Sequence, residues 1–373
     1  MSGIYVHFPF CRKKCVYCNF YSVARTELKT DYIKALLCEI EARKEELCGA
    51  VETLYFGGGT PSLCSISELD SVVGKLRATF PFNSEIEFTV EANPEQLTKE
   101  YLNGLRTIGV NRLSIGVQSF DDRILKSLGR THDSAAVTKA LDNALAAGFD
   151  NISIDLIYGI MEREKGGWRS DIEKALSYPI SHLSAYSLTV EENTLLHRSI
   201  RNSSKEPPSE SCSVDDYGTL LELTAKSGFV QYEVSNFARN GKISRHNFSY
   251  WTHTPYLGLG AAAHSFDGKS RRWNVADIRQ YISSSDTGQP LHETEHLTQR
   301  DLFNEYVLLR LRTNKGINLD EIADKFGERH LRSIENRFTT LPQNFYIAGG
   351  NNLTLTSEGL LHADNIAMEL FEV

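Results

Sequence analysis

Cys11-Arg12-Lys13-Lys14-Cys15-Val16-Tyr17-Cys18 is the stretch on which the reading of this chain turns. Its spacing is C-x3-C-x2-C, with the aromatic Tyr17 just before the last cysteine. Thiolates are the preferred ligands of iron–sulfur clusters. Three of them hold three irons of a 4Fe–4S cube and leave the fourth iron open for a small molecule, as a catalytic zinc keeps one position free. Closely spaced cysteines also bind zinc or form a redox pair. Structural zinc needs a fourth protein ligand; no second CxxC follows, and His7 is the nearby candidate. A cluster on Cys11, Cys15 and Cys18 is therefore expected.

Outward from that loop, short β-rich runs alternate with amphipathic segments. Strands are expected at Ile4–Phe8, Thr53–Phe56, Glu85–Thr89, Arg112–Val117, Ile152–Ile157 and His182–Ser187. Helices are expected at Asp31–Leu47, Ile66–Phe80, Thr98–Ile108, Ser134–Ala147 and Trp168–Ser177, the first capped by Thr30. Such alternation means βαβ units and a parallel sheet. Six strands suggest an incomplete barrel, although an open doubly wound sheet has the same local pattern. In parallel barrels the chemistry gathers at the C-terminal ends of the strands. The unusual segments lie there: the cysteine loop after Phe8, Gly57-Gly58-Gly59-Thr60-Pro61 after Phe56, Glu91-Ala92-Asn93-Pro94 after Val90, and Gln118 after Val117.

The polar stretch Arg201–Ser213, with Pro207-Pro208, reads as an exposed loop or linker. From Leu297 the pattern changes. Leu302–Leu311, Leu319–Phe326 and Leu331–Phe338 read as helices, Phe345–Ile347 and Leu353–Leu355 as a hairpin, and a last helix begins at Ser357. This is a small winged-helix-like module. Without a concentrated basic face it suits packing or a partner better than DNA. The expected division is 1–235, 236–296 and 297–373.

With 373 residues, 41% of them hydrophobic, the chain can bury a barrel-sized core plus a smaller one. No run of ~18 apolar residues exists, so no membrane span is expected, and no signal peptide is expected at the start. A net charge of −8 argues against nucleic acid as the main partner. Of the seven cysteines, Cys38, Cys48, Cys64 and Cys212 are scattered and read as reduced, buried small apolar residues. A reducing cytoplasm fits them and protects an exposed cluster.

The glycine run lets the backbone approach a ligand. Beside a cluster loop it suits the amino-acid end of S-adenosylmethionine (SAM). Glu91, Gln118, Arg130 and Asp155 recur at or beyond strand ends and supply the polar partners that an ammonium, a carboxylate and ribose hydroxyls need in a buried site. Separately, Arg245-His246-Asn247-Phe248-Ser249-Tyr250-Trp251 sets a histidine beside aromatic residues. A packed aromatic loop explains it; so does a heme ligand with rings covering the macrocycle.

Taken together these motifs resemble the HemW-type heme chaperones, relatives of oxygen-independent coproporphyrinogen III oxidase in the radical SAM superfamily. The resemblance runs over essentially the whole chain. It rests on Ile4–Cys11, the cysteine triad, Tyr55–Ser62, Glu91–Pro94, Arg112–Phe120, Leu128-Gly129-Arg130-x-His132, Asp155–Gly159 and His246-Asn247-x-x-Tyr250-Trp251. It implies an α/β fold: a partial (β/α)6 TIM-like barrel with a C-terminal, mostly helical winged-helix-like domain. It also implies that Cys11, Cys15 and Cys18 hold the cluster, and that Tyr5, Tyr17, Gly58, Gly59, Thr60, Glu91, Gln118, Arg130 and Asp155 line the SAM site. His246, Asn247, Tyr250 and Trp251 would serve heme. One departure separates the relatives. The oxidase pattern has a fourth cysteine two residues after the third, and here that position is Phe20. The expected function is binding heme and passing it to acceptor proteins. The alternatives are coproporphyrinogen oxidation in porphyrin biosynthesis and a zinc-bearing binding protein. Heme, heme acceptors and, if SAM is cleaved, an electron donor are the expected partners of a monomer or dimer.

Overall fold

A computed structural model describes residues 2–47, 49–203, 206–285 and 290–372. Cys48, expected to be buried, lies outside them. Six parallel strands come first and neighbour one another in chain order: β1 (Gly3–Phe8), β2 (Val51–Gly58), β3 (Phe82–Ala92), β4 (Arg112–Gln118), β5 (Ile152–Tyr158) and β6 (His182–Ser187). Their register sets apolar residues side by side, as in Ile4↔Leu54, Leu54↔Phe88, Val90↔Leu113, Ile115↔Ile154 and Ile154↔Leu183. Successive side chains point to opposite faces of a strand. These apolar positions therefore share the face that packs under the helices. The alternate positions, Tyr55, Glu91, Ser114, Asp155 and Tyr186 among them, share the other.

The helices cover the apolar face by ordinary means. Ile66–Thr79 buries Leu69, Val72, Val73 and Leu76, one stripe at helical spacing, and opens with a capping box between Ser65 and Glu68. The first long helix differs from the sequence expectation. It grows out of a 3-10 turn at Thr26–Leu28, starts at Lys29 and ends at Ala42. Thr30 therefore lies inside it and caps nothing.

Among the described residues the sheet has 12 strands, twice the number the βαβ pattern reveals. Beyond β6 lie β8 (Asn236–Ala238) and then β7 (Val230–Glu233), both antiparallel additions. Beyond β1 lies β9 (Tyr256–Leu259), parallel to it, then antiparallel β10 (His264–Phe266), β11 (Ser270–Asn274) and β12 (His292–His296). The boundary expected at 235/236 thus passes through the β7–β8 hairpin, and residues 236–296 extend the barrel's own sheet. A buried network fastens them. Glu39 and Arg43 of the first helix, both with fully buried side chains, pair at 2.9 Å. Glu39 also accepts from Gly260 N, Asn274 Nδ2 and Tyr281 Oη, while Arg43 donates to Gly258 O and Ser265 Oγ.

The stretch expected as a linker is partly helical, since Ser209 caps a helix over Glu210–Lys226. Cys64 is buried, but Cys38 is exposed and Cys212 half-buried, because each sits at an outer position of its helix. The C-terminal part carries a core of its own, including Phe303, Val307, Leu311, Ile322, Ile334 and Phe338. Helices Gln299–Leu311, Leu319–Phe326 and Glu328–Phe338 pack on a three-stranded antiparallel sheet of β13 (Ile317–Asn318), β14 (Tyr346–Gly349) and β15 (Asn352–Leu355). The last helix is two, Ser357–Leu360 and Ala363–Leu370. Glu305 ties this unit to the barrel sheet through Arg271 and His253.

Candidate functional site: a thiol-rimmed cavity joined to an aromatic one

The cysteine loop is closed at its neck by Cys11 N→Val23 O at 3.0 Å and Val23 N→Pro9 O at 2.7 Å. Its far side is pinned by Val16 N→Leu128 O at 3.1 Å. Cys11, Cys15 and Cys18 are free, half-buried thiols at one cavity of about 810 Å³. Arg130 Nη1 donates to Cys15 Sγ at 3.4 Å. Thr60 Oγ1 stands 3.6 Å from Cys11 Sγ. Burial pushes the Cys18 thiol and the Tyr17 phenol up.

The zinc reading loses its fourth ligand here. Both ring nitrogens of His7 are taken, by Tyr5 Oη at 3.0 Å and Tyr21 O at 2.9 Å. The H-x3-H pair His292 and His296 lies on β12, four strands from β1 in the sheet order. Among the described residues no three His, Cys, Asp or Glu side chains gather closely enough for a single ion. A cube gives each thiolate its own iron and makes no such demand.

The expected SAM residues converge on this cavity. Gly58, Gly59, Thr60, Glu91, Gln118, Arg130 and Asp155 line it together with Tyr17. The glycines are needed: Gly58 has φ +110°, where a side chain would strike the His7 ring, and a Cβ on Gly59 would lie 2.7 Å from Phe10 O. Glu91 accepts from Gly58 N at 3.0 Å and from Tyr55 Oη at 2.7 Å. Burial pushes its carboxyl up to about 7, with Asp155 adding to the rise. Asp155, also raised by burial, accepts from Ser114 Oγ at 3.2 Å. Gln118 adopts φ 70°, at the irregularity where β4 leaves its register with β5. Arg130 Nε and Gln96 Nε2 are buried at this cavity without a hydrogen-bond partner. Such orphaned donors suit a polar ligand. Thiols, glycine cradle, paired carboxylates and spare donors thus fit a cluster with SAM.

Two placements differ from expectation. Tyr5 does not line the thiol cavity. It sits mid-strand on β1, stacked on Tyr55 at 6.0 Å, and faces a second cavity. Asn93, inside a quoted motif but given no role, is the hub that holds Arg130 Nη2 at 2.5 Å and approaches Thr60. Its signal was its place beside Glu91 at a strand end.

The second cavity, about 970 Å³, is lined by Tyr5, Tyr55, Tyr250, Trp251 and Asn247 from the barrel side and by Arg312 and residues 360–365 from the C-terminal side. It shares Phe20, Glu91, Tyr158, Tyr186, Val234 and Ser235 with the first, so the two adjoin. The HNxxYW segment is a short helix, Arg245–Trp251, capped by Ser244. His246 does not face this cavity with a free nitrogen. It is 0% exposed; Nδ1 is bonded to Thr53 Oγ1 and Nε2 to Tyr250 Oη, both at 2.8 Å. Burial, helped by Arg112, lowers its pKa to about 3, so the ring is neutral. The histidine is a strut that orients Tyr250.

Residues 5–165 match the radical SAM superfamily. The heme chaperone HemW of Lactococcus lactis is 35% identical over 326 residues, spanning 87% of this chain and 85% of its own. HemW of Bacillus subtilis is 32% identical over 374 residues, spanning 99% and 95%. The chain belongs to the HemW family of radical SAM proteins. Superfamily membership implies a 4Fe–4S cluster and SAM. Among solved structures, coproporphyrinogen III oxidase (HemN) of Escherichia coli, a radical SAM enzyme, superposes with a TM-score of 0.86 at 25% identity, covering 99% of this chain and 90% of that one. HemW and oxidase thus share a frame, and the residues at the cavities must tell them apart. No helix among the described residues is long and apolar enough to cross a membrane.

Proposed function

We propose that this chain is a cytoplasmic heme chaperone: it binds heme in the aromatic cavity and passes it to heme-requiring proteins. A 4Fe–4S cluster on Cys11, Cys15 and Cys18 and SAM on the glycine run, Glu91, Gln118, Arg130 and Asp155 occupy the adjoining cavity. When bound, that cluster supplies an open iron and a transferable electron. The observation that carries the reading is that the two cavities adjoin, with Phe20, Glu91, Tyr158 and Tyr186 in the wall of both. A planar apolar macrocycle needs a roomy, aromatic-walled space, and about 970 Å³ lies at the upper end of small-molecule sites. Tyr250 and Trp251 offer ring faces to it. The curated relatives named above, heme chaperones by name, support the same reading. Residues 297–373 act as a separate unit that roofs the aromatic cavity.

The oxidase reading draws on the superposition with the E. coli enzyme. Against it stands Phe20, a side chain 71% exposed that lines both cavities and has no thiol. Two assays separate the readings. Cluster-loaded protein charged with heme should release it to a heme-free acceptor protein and should convert no coproporphyrinogen III. Failure of transfer sinks the chaperone reading, and robust decarboxylation moves the chain to the oxidase branch.

A further inference from the structure

The aromatic cavity has carboxylates in its wall at Glu91, Glu233 and Asp364, yet among its described lining residues Arg312 is the single Lys or Arg. Arg312 follows the last turn of the helix Gln299–Leu311 in the C-terminal unit. Its backbone is fixed against the barrel by Val234 N→Arg312 O at 3.0 Å and by the bridge Glu233↔Thr313. Its guanidinium lies over the Trp251 ring, 5.9 Å from the centroid. Nε and Nη2 both donate to one oxygen, Oδ1 of Asp364, at 3.0 and 2.5 Å. Nη1 makes no hydrogen bond to any described residue. The Asp364 side chain is 65% exposed, and such an ion pair contributes little to stability. A pre-stacked arginine with a spare edge matches a carboxylate in two-pronged fashion, which a lysine does not.

We propose that Arg312 is the carboxylate anchor of the aromatic cavity, pairing through its spare edge with a propionate of bound heme; this rests on the heme-binding reading above. A heme brings two propionates into a cavity whose other charges are acidic, so its orientation is set by the one cation. Burial pushes the carboxyls of Glu91 and Glu233 up to about 7. Near neutral pH each is partly protonated and opposes the dianion less. The anchor also belongs to the C-terminal unit while the ring faces of Tyr250 and Trp251 belong to the barrel. Heme therefore bridges the two parts, and release requires the Arg312 pairing to break.

The test compares heme with heme dimethyl ester, which keeps iron and macrocycle but lacks the two charges. Both are titrated into cluster-loaded wild type, Arg312→Gln, Arg312→Lys and Asp364→Asn. Wild type should bind heme more tightly than the ester. Arg312→Gln should lose about tenfold or more in heme affinity and bind the ester as wild type does. Arg312→Lys should recover part of the loss. Asp364→Asn should keep the preference for heme, since the cation remains. An Arg312→Gln protein that retains the wild-type preference overturns the assignment. So does equal loss of both ligands, which returns Arg312 to a structural role. Wild type that binds neither ligand overturns the heme reading itself, a result seen before any variant is compared.

Discussion

At the scale of single residues, Glu91 receives the Gly58 N–H and the Tyr55 hydroxyl, and burial still pushes its carboxyl up to about 7. If an ionised Glu91 holds the ammonium of SAM, affinity should rise as pH goes from about 6 to 8, because the carboxyl loses its proton through that window. Glu91→Gln should bind more weakly, with a flat profile; an equally steep profile in the variant, by calorimetry, would remove Glu91 from the site. The same shift bears on stability. A pKa raised on folding gives a contribution complete below the unfolded value, near 4.3, and lost as pH rises through about 7. Glu91→Gln should remove that slope from the apo protein. The thiols give a second prediction. Serine at Cys11, Cys15 or Cys18 should abolish cluster binding, because a hydroxyl replaces a soft thiolate poorly. Full iron and sulfide content in any of the three after anaerobic reconstitution would contradict the assignment.

At the scale of elements, the pair Glu39–Arg43 joins the first long helix to β9 and β10 with both side chains out of water. Removing one partner strands a buried charge, so Arg43→Met should cost about 3–5 kcal/mol, read from denaturant midpoints; a cost below about 1 kcal/mol would mean that the added strands are held otherwise. Nothing in the sequence marked this pair, since an i,i+4 Glu–Arg spacing is ordinary on exposed helices. The six barrel strands were legible because each is a short β-rich run followed by a helical segment, and the site residues because they sit at or beyond the ends of those strands. The added strands were not. β12 is His-Glu-Thr-Glu-His, exposed throughout, and β8 and β10 have three residues each. Their pairing partners, not their composition, make them strands. For the segment around His246 the residues alone left a packed loop and a heme ligand both open, and the resemblance chose heme. Its ring is closed off by Thr53 and Tyr250, one of them 193 residues away, and no local pattern carries that.

At the scale of the whole molecule, two adjoining cavities with Phe20 in the wall of both lie between the thiols and the roof formed by the C-terminal unit. The central claim is that the cluster occupies one of these cavities and heme the other at the same time. The direct measurement is an anaerobic heme titration of cluster-loaded protein, following the Soret band and the iron–sulfur absorbance in the same sample. The account predicts saturation at one heme per chain with cluster content unchanged, and a weakened or shifted Soret band in Trp251→Ala with its cluster intact. Absence of heme uptake, or uptake only as the cluster is lost, would contradict it.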